Sequence, residues 1–255
     1  MLIAMSTSIW IVSGSSRGLG LAIAMQLLQS GQRVLGLARH TNPALQARAT
    51  AQGADLTQWA IDLAAPVEAA TRLRQWLQGQ DSTPVDRVTL INNAGVISTP
   101  APLAGSDLAE LSNALRVGLE SALLLTSAFL QATDRWPAAR RVLNVSSGLG
   151  RRAMASSAAY CAAKAGMDHF SRAVALEQAL HANGARIESM APGVIDTDMQ
   201  AQLRDADADL FPDRGRFLAL QAGGQLLSAA DCAAMTLVRL ERAEFGADPV
   251  TDIRD

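Results

Sequence analysis

Tyr160 and Lys164 lie four residues apart in the alanine-rich run AAYCAAKAG. That composition favours a helix, so both side chains share one helix face. Ser147 stands thirteen positions before the tyrosine, just beyond the apolar run 142–145, VLNV. The run reads as a buried strand ending in polar residues. A hydroxyl at a strand end and a Tyr/Lys pair on the next helix can converge on one small molecule. A free tyrosine has a pKa of about 10, too high for ready proton exchange near neutrality. An ammonium one helical turn away favours the phenolate and is expected to pull that value down. Tyr160 then gives a proton to a carbonyl oxygen, or takes one from an alcohol, while Ser147 holds the same oxygen. No side chain supplies hydride, so this chemistry requires a carrier. Tyr-x-x-x-Lys pairs also arise by chance on exposed helices, so the rest of the chain has to offer the carrier a site.

A candidate for that site lies near the amino terminus. Residues 9–12 form a short apolar, β-rich run, followed by SGSSRGLG and then the amphipathic LAIAMQLLQSG. The order is strand, glycine-rich turn, helix. Gly14, Gly18 and Gly20 permit a tight turn and close approach of backbone to a ligand. The helix amino terminus offers free N–H groups and a positive dipole end to a phosphate. Ser13, Gly14, Ser16, Arg17, Gly18, Leu19 and Gly20 are therefore the candidate cradle for a dinucleotide. The second strand, 33–38, runs into Arg39 and His40. An NAD site carries an acid near this point for the ribose hydroxyls. Here Arg39 replaces it and, with Arg17, can embrace a 2′-phosphate. The cofactor is accordingly read as NADP(H).

Further along, Asp62 and Leu63 close a third strand, 56–61. Asp62 is expected either to meet the adenine edge or to cap the helix after Pro66. The fourth strand, 85–91, runs into Asn92, Asn93, Ala94 and Gly95, small residues that keep a strand end thin where a cofactor crosses it. Helical patterns cover 42–52, 66–78, 107–130, 156–182 and 228–242. A fifth strand spans 141–146, a sixth 186–190, and a last one 250–253 at the tail. This alternation predicts an α/β fold, one Rossmann-type doubly wound parallel sheet with helices on both faces over residues 1–255. Residues 197–227 read as a segment covering the substrate.

Composition narrows the partners. The 255 residues are 49% hydrophobic and 18% charged, with a formal net charge of −2 and no basic block. Nucleic acid and anionic membrane surfaces are not expected as partners. Cys161 and Cys232 have no disulfide or metal spacing, and His40, His169 and His181 are scattered, so no metal site is expected. The opening MLIAMSTS has no basic flank for a signal peptide, and no run of about 20 apolar residues suggests a membrane span. A cytoplasmic setting is the expectation.

Together these motifs resemble the short-chain dehydrogenase/reductase family over nearly the whole chain. Ser13-Gly14-x-x-x-Gly18-x-Gly20 looks like its cofactor loop, and Asn92-Asn93-Ala94-Gly95 like its NNAG motif. Ser147, Tyr160 and Lys164 fall at its catalytic spacing. Pro192, Gly193, Val194, Ile195 and Thr197 look like the segment that closes over the nicotinamide. The resemblance implies hydride transfer from NADPH to a carbonyl, with Tyr160 as proton donor, Ser147 orienting the oxygen, and Lys164 tuning the tyrosine and binding the nicotinamide ribose. It also implies a homodimer, with a homotetramer as the alternative.

YCAAK, APGVIDTDMQ, FPDRGRFLALQAGGQLL and FGADPVTDIRD are similar, more narrowly, to the sepiapterin reductase branch and its bacterial benzil (diketone) reductase relatives. In sepiapterin reductase an aspartate near the carboxyl terminus holds the pterin, and Asp252 is its best match. One departure stands out. The family carries an asparagine in a Val-Asn-Leu setting, holding a water that links the lysine to solvent. This chain has Val117-Gly118-Leu119. The competing expectation is a dinucleotide-binding sensor or partner-binding protein with little turnover, and the missing asparagine is its support.

Overall fold

Seven parallel strands bring the carboxyl ends of β1, β4, β5, β6 and β7 to one edge of a sheet. These are β1 (Thr7–Ser13), β2 (Gln32–Ala38), β3 (Asp55–Ala60), β4 (Val85–Asn92), β5 (Ala139–Val145), β6 (Arg186–Ala191) and β7 (Val250–Asp252), in the spatial order β3-β2-β1-β4-β5-β6-β7. The computed structural model describes residues 7–29 and 31–255. The start of the MLIAMSTS run, through Ser6, lies outside them. Strand order reverses between β1 and β4, which opens a crevice at their carboxyl ends, the place where open α/β sheets take ligands. Strand interiors are buried on both faces, which explains the near-continuous apolar runs such as Ile9-Trp10-Ile11-Val12.

One face is covered by α1 (Gly18–Leu27), α2 (Pro43–Gln52) and α9 (Ala229–Glu241), packing Ile23, Leu27, Leu45, Cys232 and Leu240 onto the sheet. On the other lie α3 (Pro66–Gln78), α4 (Leu108–Leu115), α5 (Ser121–Thr133) and α6 (Ala158–Gln178), contributing Leu73, Leu77, Leu125, Phe129 and Val174. The pattern read as one helix over 107–130 is divided. Residues 116–120 form a π-helical turn in which Ser121 N–H bonds the Arg116 carbonyl. Gly118 sits in the middle of that turn. Single π-turns recur inside helices at functional sites, and periodicity alone does not reveal them.

Between β6 and α9 the chain leaves the sheet. Ile195 and Leu227 form a parallel bridge that closes the base of this excursion, with Leu227 N–H bonded to Val194 O at 2.8 Å. The excursion holds α7 (Asp198–Arg204) and α8 (Arg214–Ala222). It has a small core of its own, Leu203, Phe211 and Phe217, packed against Ile97 after β4 and Met154 before α6. Ser156 adds a tie: its hydroxyl donates to Leu210 O at 2.6 Å, and its φ of 60° is the one positive value among described non-glycine residues.

Candidate active site

The glycine turn after β1 is built from close contacts that admit no side chains. Gly14 has φ 70°, and a Cβ on Gly20 would fall 2.2 Å from Gly14 O and 2.4 Å from the Asn93 amide. The first carbon of any side chain at position 20 therefore collides with backbone, so α1 begins tight against the turn. Ser13 lies beneath it, 2% exposed, and its hydroxyl accepts from Asn93 N–H and Ala94 N–H, both at 3.0 Å. The Asn93 side chain donates to Ser13 O at 3.0 Å. Both side chains, expected at a cofactor, fasten the β1 and β4 ends together. Leu19 and Leu63 are buried among core residues, and Ser16 is partly exposed.

Arg39 is exposed at the end of β2. Arg17 is exposed too, but its guanidinium already pairs with Asp198 in the first turn of α7 at 2.9 Å. Asp62 is a correction to half of its expectation. Its carboxylate accepts from Ala64 N–H at 3.0 Å and closes a turn, while α3 begins after Ala65 with no side-chain cap. Pro192 is buried; Gly193, Val194, Ile195 and Thr197 line the way from β6 into the excursion.

Ser147 follows β5, and Tyr160 and Lys164 project from the first two turns of α6. Tyr160 is the chain's one tyrosine and Lys164 its one lysine. The Ser147 hydroxyl accepts from Leu149 N–H at 3.2 Å and starts a short 3-10 turn, 148–150. It also hydrogen-bonds the Tyr160 phenol. Lys164 is 3% exposed, and its Nζ donates to Val145 O at 2.7 Å while lying 5.7 Å from the Tyr160 ring centre. So strand end, turn and helix bring the three groups together as the spacing predicts.

The electrostatics differ from expectation. Burial pushes the Tyr160 phenol above its ordinary value, against a smaller downward pull from the Ser147 hydrogen bond. The expected lowering by Lys164 is absent, because its ammonium is aimed at a strand-end carbonyl and is itself destabilised. Burial pulls the lysine down to about 8, with Asp168 opposing. The result is a phenol that stays protonated beside a lysine poised near neutrality, a pairing suited to giving a proton.

Gly118 faces the same helix. A Cβ there would lie 3.3 Å from the Ala163 Cβ, so the π-helical turn packs on α6 more closely than a longer side chain permits without a shift.

At the tail, β7 forms as expected and Asp252 pairs in register with Ala191. The Asp252 carboxylate is held by Arg254 through both oxygens, at 2.6 and 2.7 Å, which keeps it below the usual carboxylate range. An isolated acceptor facing a substrate is therefore not what the structure presents. Other contacts were not legible in the sequence. Asn92 donates to Asn144 at 2.8 Å and Asn144 to Ser171 at 2.8 Å, a buried chain of amides joining β4, β5 and α6. Asp168, 2% exposed, sits one turn after Lys164. Its i+4 spacing was visible, its burial was not. Among the described residues no helix is long and apolar enough to cross a membrane.

Residues 8–208 match the family model described as short chain dehydrogenase. A benzil reductase ((S)-benzoin forming) of Bacillus cereus is 33% identical over 235 residues, 92% of this chain and 94% of that one. A sepiapterin reductase of Meriones unguiculatus is 31% identical, covering 97% of each chain. Among solved structures, a metagenomic short-chain oxidoreductase in complex with NADP superposes with a TM-score of 0.70 at 25% identity, over 98% of this chain and 96% of that one.

Proposed function

This chain belongs to the short chain dehydrogenase family, and from that premise we propose that it is an NADPH-dependent carbonyl reductase acting on a ketone or diketone. The observation that carries the reading is the convergence of Ser147, Tyr160 and Lys164 at the carboxyl ends of the central strands, beside the β1 glycine turn. The cradle fits a dinucleotide. Gly14 and Gly20 let the β1 turn pack directly on Asn93 and against the start of α1, the amino terminus of α1 begins at that turn, and Arg39 stands where an NAD site carries an acid. Arg17, Arg39 and the backbone of residues 14–20 would hold the adenosine phosphates, and Lys164 with residues 192–195 would hold the nicotinamide half. NADPH, when bound, supplies the hydride.

The side chains do the rest. Ser147 donates to the substrate carbonyl oxygen and fixes its position. Tyr160, kept protonated by burial, gives its proton to that oxygen as charge develops there. The Lys164 ammonium, anchored on Val145 O, would hold the nicotinamide ribose in register with the carbonyl. The excursion 197–227 covers the substrate with the apolar cluster around Phe211 and Phe217, and the engagement of Asp252 by Arg254 favours a diketone over a hydrogen-bond-donating pterin. Leu108, Leu123 and Leu176 are exposed on α4, α5 and α6, which supports a two-fold contact through these helices in a homodimer.

The direct test is NADPH oxidation, followed by absorbance, with benzil, other diketones and sepiapterin in parallel. Turnover of a diketone with NADPH well above that with NADH is the expected result. Binding of NADPH without turnover of any carbonyl would leave a dinucleotide-binding protein in its place.

A further inference from the structure

We propose that Asp168 is a positioning residue that fastens the Ser147 turn to the helix bearing Tyr160 and Lys164 and supplies the counter-charge for the buried lysine. This rests on the reading above that the three residues act together. Asp168 lies on the inner face of α6, four residues after Lys164, with its side chain 2% exposed. One carboxylate oxygen accepts from Ser189 of β6 at 2.7 Å. The other lies 3.4 Å from Arg151 Nε and makes no hydrogen bond among the described residues. Arg151 follows directly on the turn that Ser147 starts, and it donates in addition to Thr251 O of β7.

Contact between turn and helix is close. A Cβ on Gly150 would fall 2.7 Å from the second Asp168 oxygen and 2.9 Å from Lys164 O. Asp168 therefore touches the Ser147 turn through Gly150 and Arg151, and touches β6 through Ser189. An ionised carboxylate with an unused oxygen at 2% exposure is costly unless compensated by nearby positive charge. Two cations are in reach, Arg151 at 3.4 Å and Lys164 one helical turn back.

Among the described residues, the groups around Lys164 leave Asp168 as its one acidic neighbour. From α6 itself come Asp168, Tyr160 and the Cys161 thiol. The turn brings Arg151. On β6, Glu188 is engaged by Arg239 at 2.9 Å and by Thr251 at 2.7 Å. On β7, Asp252 is held by Arg254. Glu110 of α4 bonds Thr99, and Arg116 and Glu120 of the π-helical turn are exposed. α5 has no charged residue. The Asp168 charge acts against the burial that pulls Lys164 down to about 8.

Because Lys164 is the only lysine, protein grown on lysine labelled with 13C at Cε reports it as one side-chain resonance, and its titration can be followed in wild type, Asp168→Asn and Arg151→Gln. Both variants loosen the turn, so both should lower kcat for the diketone with little change in the NADPH dissociation constant. Their lysine titrations should part company. Asp168→Asn removes the counter-charge and should lower the midpoint by about one pH unit or more. Arg151→Gln leaves the carboxylate to the lysine alone and should leave the midpoint unchanged or raised. An unmoved midpoint in Asp168→Asn with native circular dichroism, or an equal fall in both variants, would overturn the proposal. Should Asp168→Asn fail to fold, a lowered midpoint in Arg151→Gln overturns it alone, and an unlowered midpoint with reduced kcat upholds it. Wild-type protein without turnover would defeat the carbonyl-reductase reading, yet the titrations would still decide the role of Asp168.

Discussion

Arg17 of the glycine turn and Asp198 of α7 form an ion pair at 2.9 Å, joining the β1–α1 turn to the excursion between β6 and α9. Both side chains are more than half exposed, so the pair itself contributes little, about 0.2–1 kcal/mol. Its consequence is competition: a 2′-phosphate reaching Arg17 must share it with a carboxylate. Asp198→Ala should therefore tighten NADPH binding by up to about fivefold and leave NADH binding unchanged. Arg39→Asp should erode or reverse the preference for NADPH. Fluorescence titration with both nucleotides checks the two substitutions, and equal use of NADH and NADPH by wild type would contradict the assignment of these arginines.

Removing the proton donor should cost far more than removing a binding contact. Tyr160→Phe deletes one oxygen and should lower kcat by at least about a hundredfold, the usual worth of a placed acid. NADPH affinity should hardly change. Near-normal turnover in this variant would end the proposed mechanism.

The pH dependence follows from the lysine. Lys164 has a pKa of about 8, so its charge is complete below that value and lost above it. Tyr160 is raised above its ordinary range and stays protonated throughout this window. Reduction should be level on the acid side and fall through about pH 8, by close to tenfold per unit beyond it. A profile of kcat from pH 6 to 10 that stays flat would show that the ammonium is not needed.

Glu188 is fully buried and serves Arg239, Thr251 and the Gly246 N–H at once. It links β6, α9 and β7, and with them the strand that carries Asp252. Glu188→Ala leaves Arg239 unpaired in the interior and should cost about 3–5 kcal/mol, read as a fall in denaturant midpoint. A loss under about 1 kcal/mol would mean that water reaches Arg239.

For Asp252 the structure sharpens the expectation. Arg254 already occupies both carboxylate oxygens, so Asp252→Asn should leave KM for a diketone unchanged. A large rise in KM for a pterin in that variant would show that the pair opens to admit substrate.

Read alone, the residues of this chain determined the architecture and the identity of the chemical groups. Alternating strand and helix periodicity yields the parallel sheet, because period and burial are local properties of sequence. The spacing of Ser147, Tyr160 and Lys164 places them together once a strand and a helix are assumed. Three-dimensional packing decided what those groups do electrically. Whether Lys164 lowers Tyr160 depends on where its ammonium is aimed, and Val145 O, nineteen residues away, claims it. Likewise Ser13 and Asn93 were legible as motif residues, but their bonds to each other close a distance of eighty residues. Asp168, Asp198 and Arg254 were invisible as participants for the same reason. A carboxylate's role is set by its burial and its partner, and both are fixed by contacts between elements that no local pattern records.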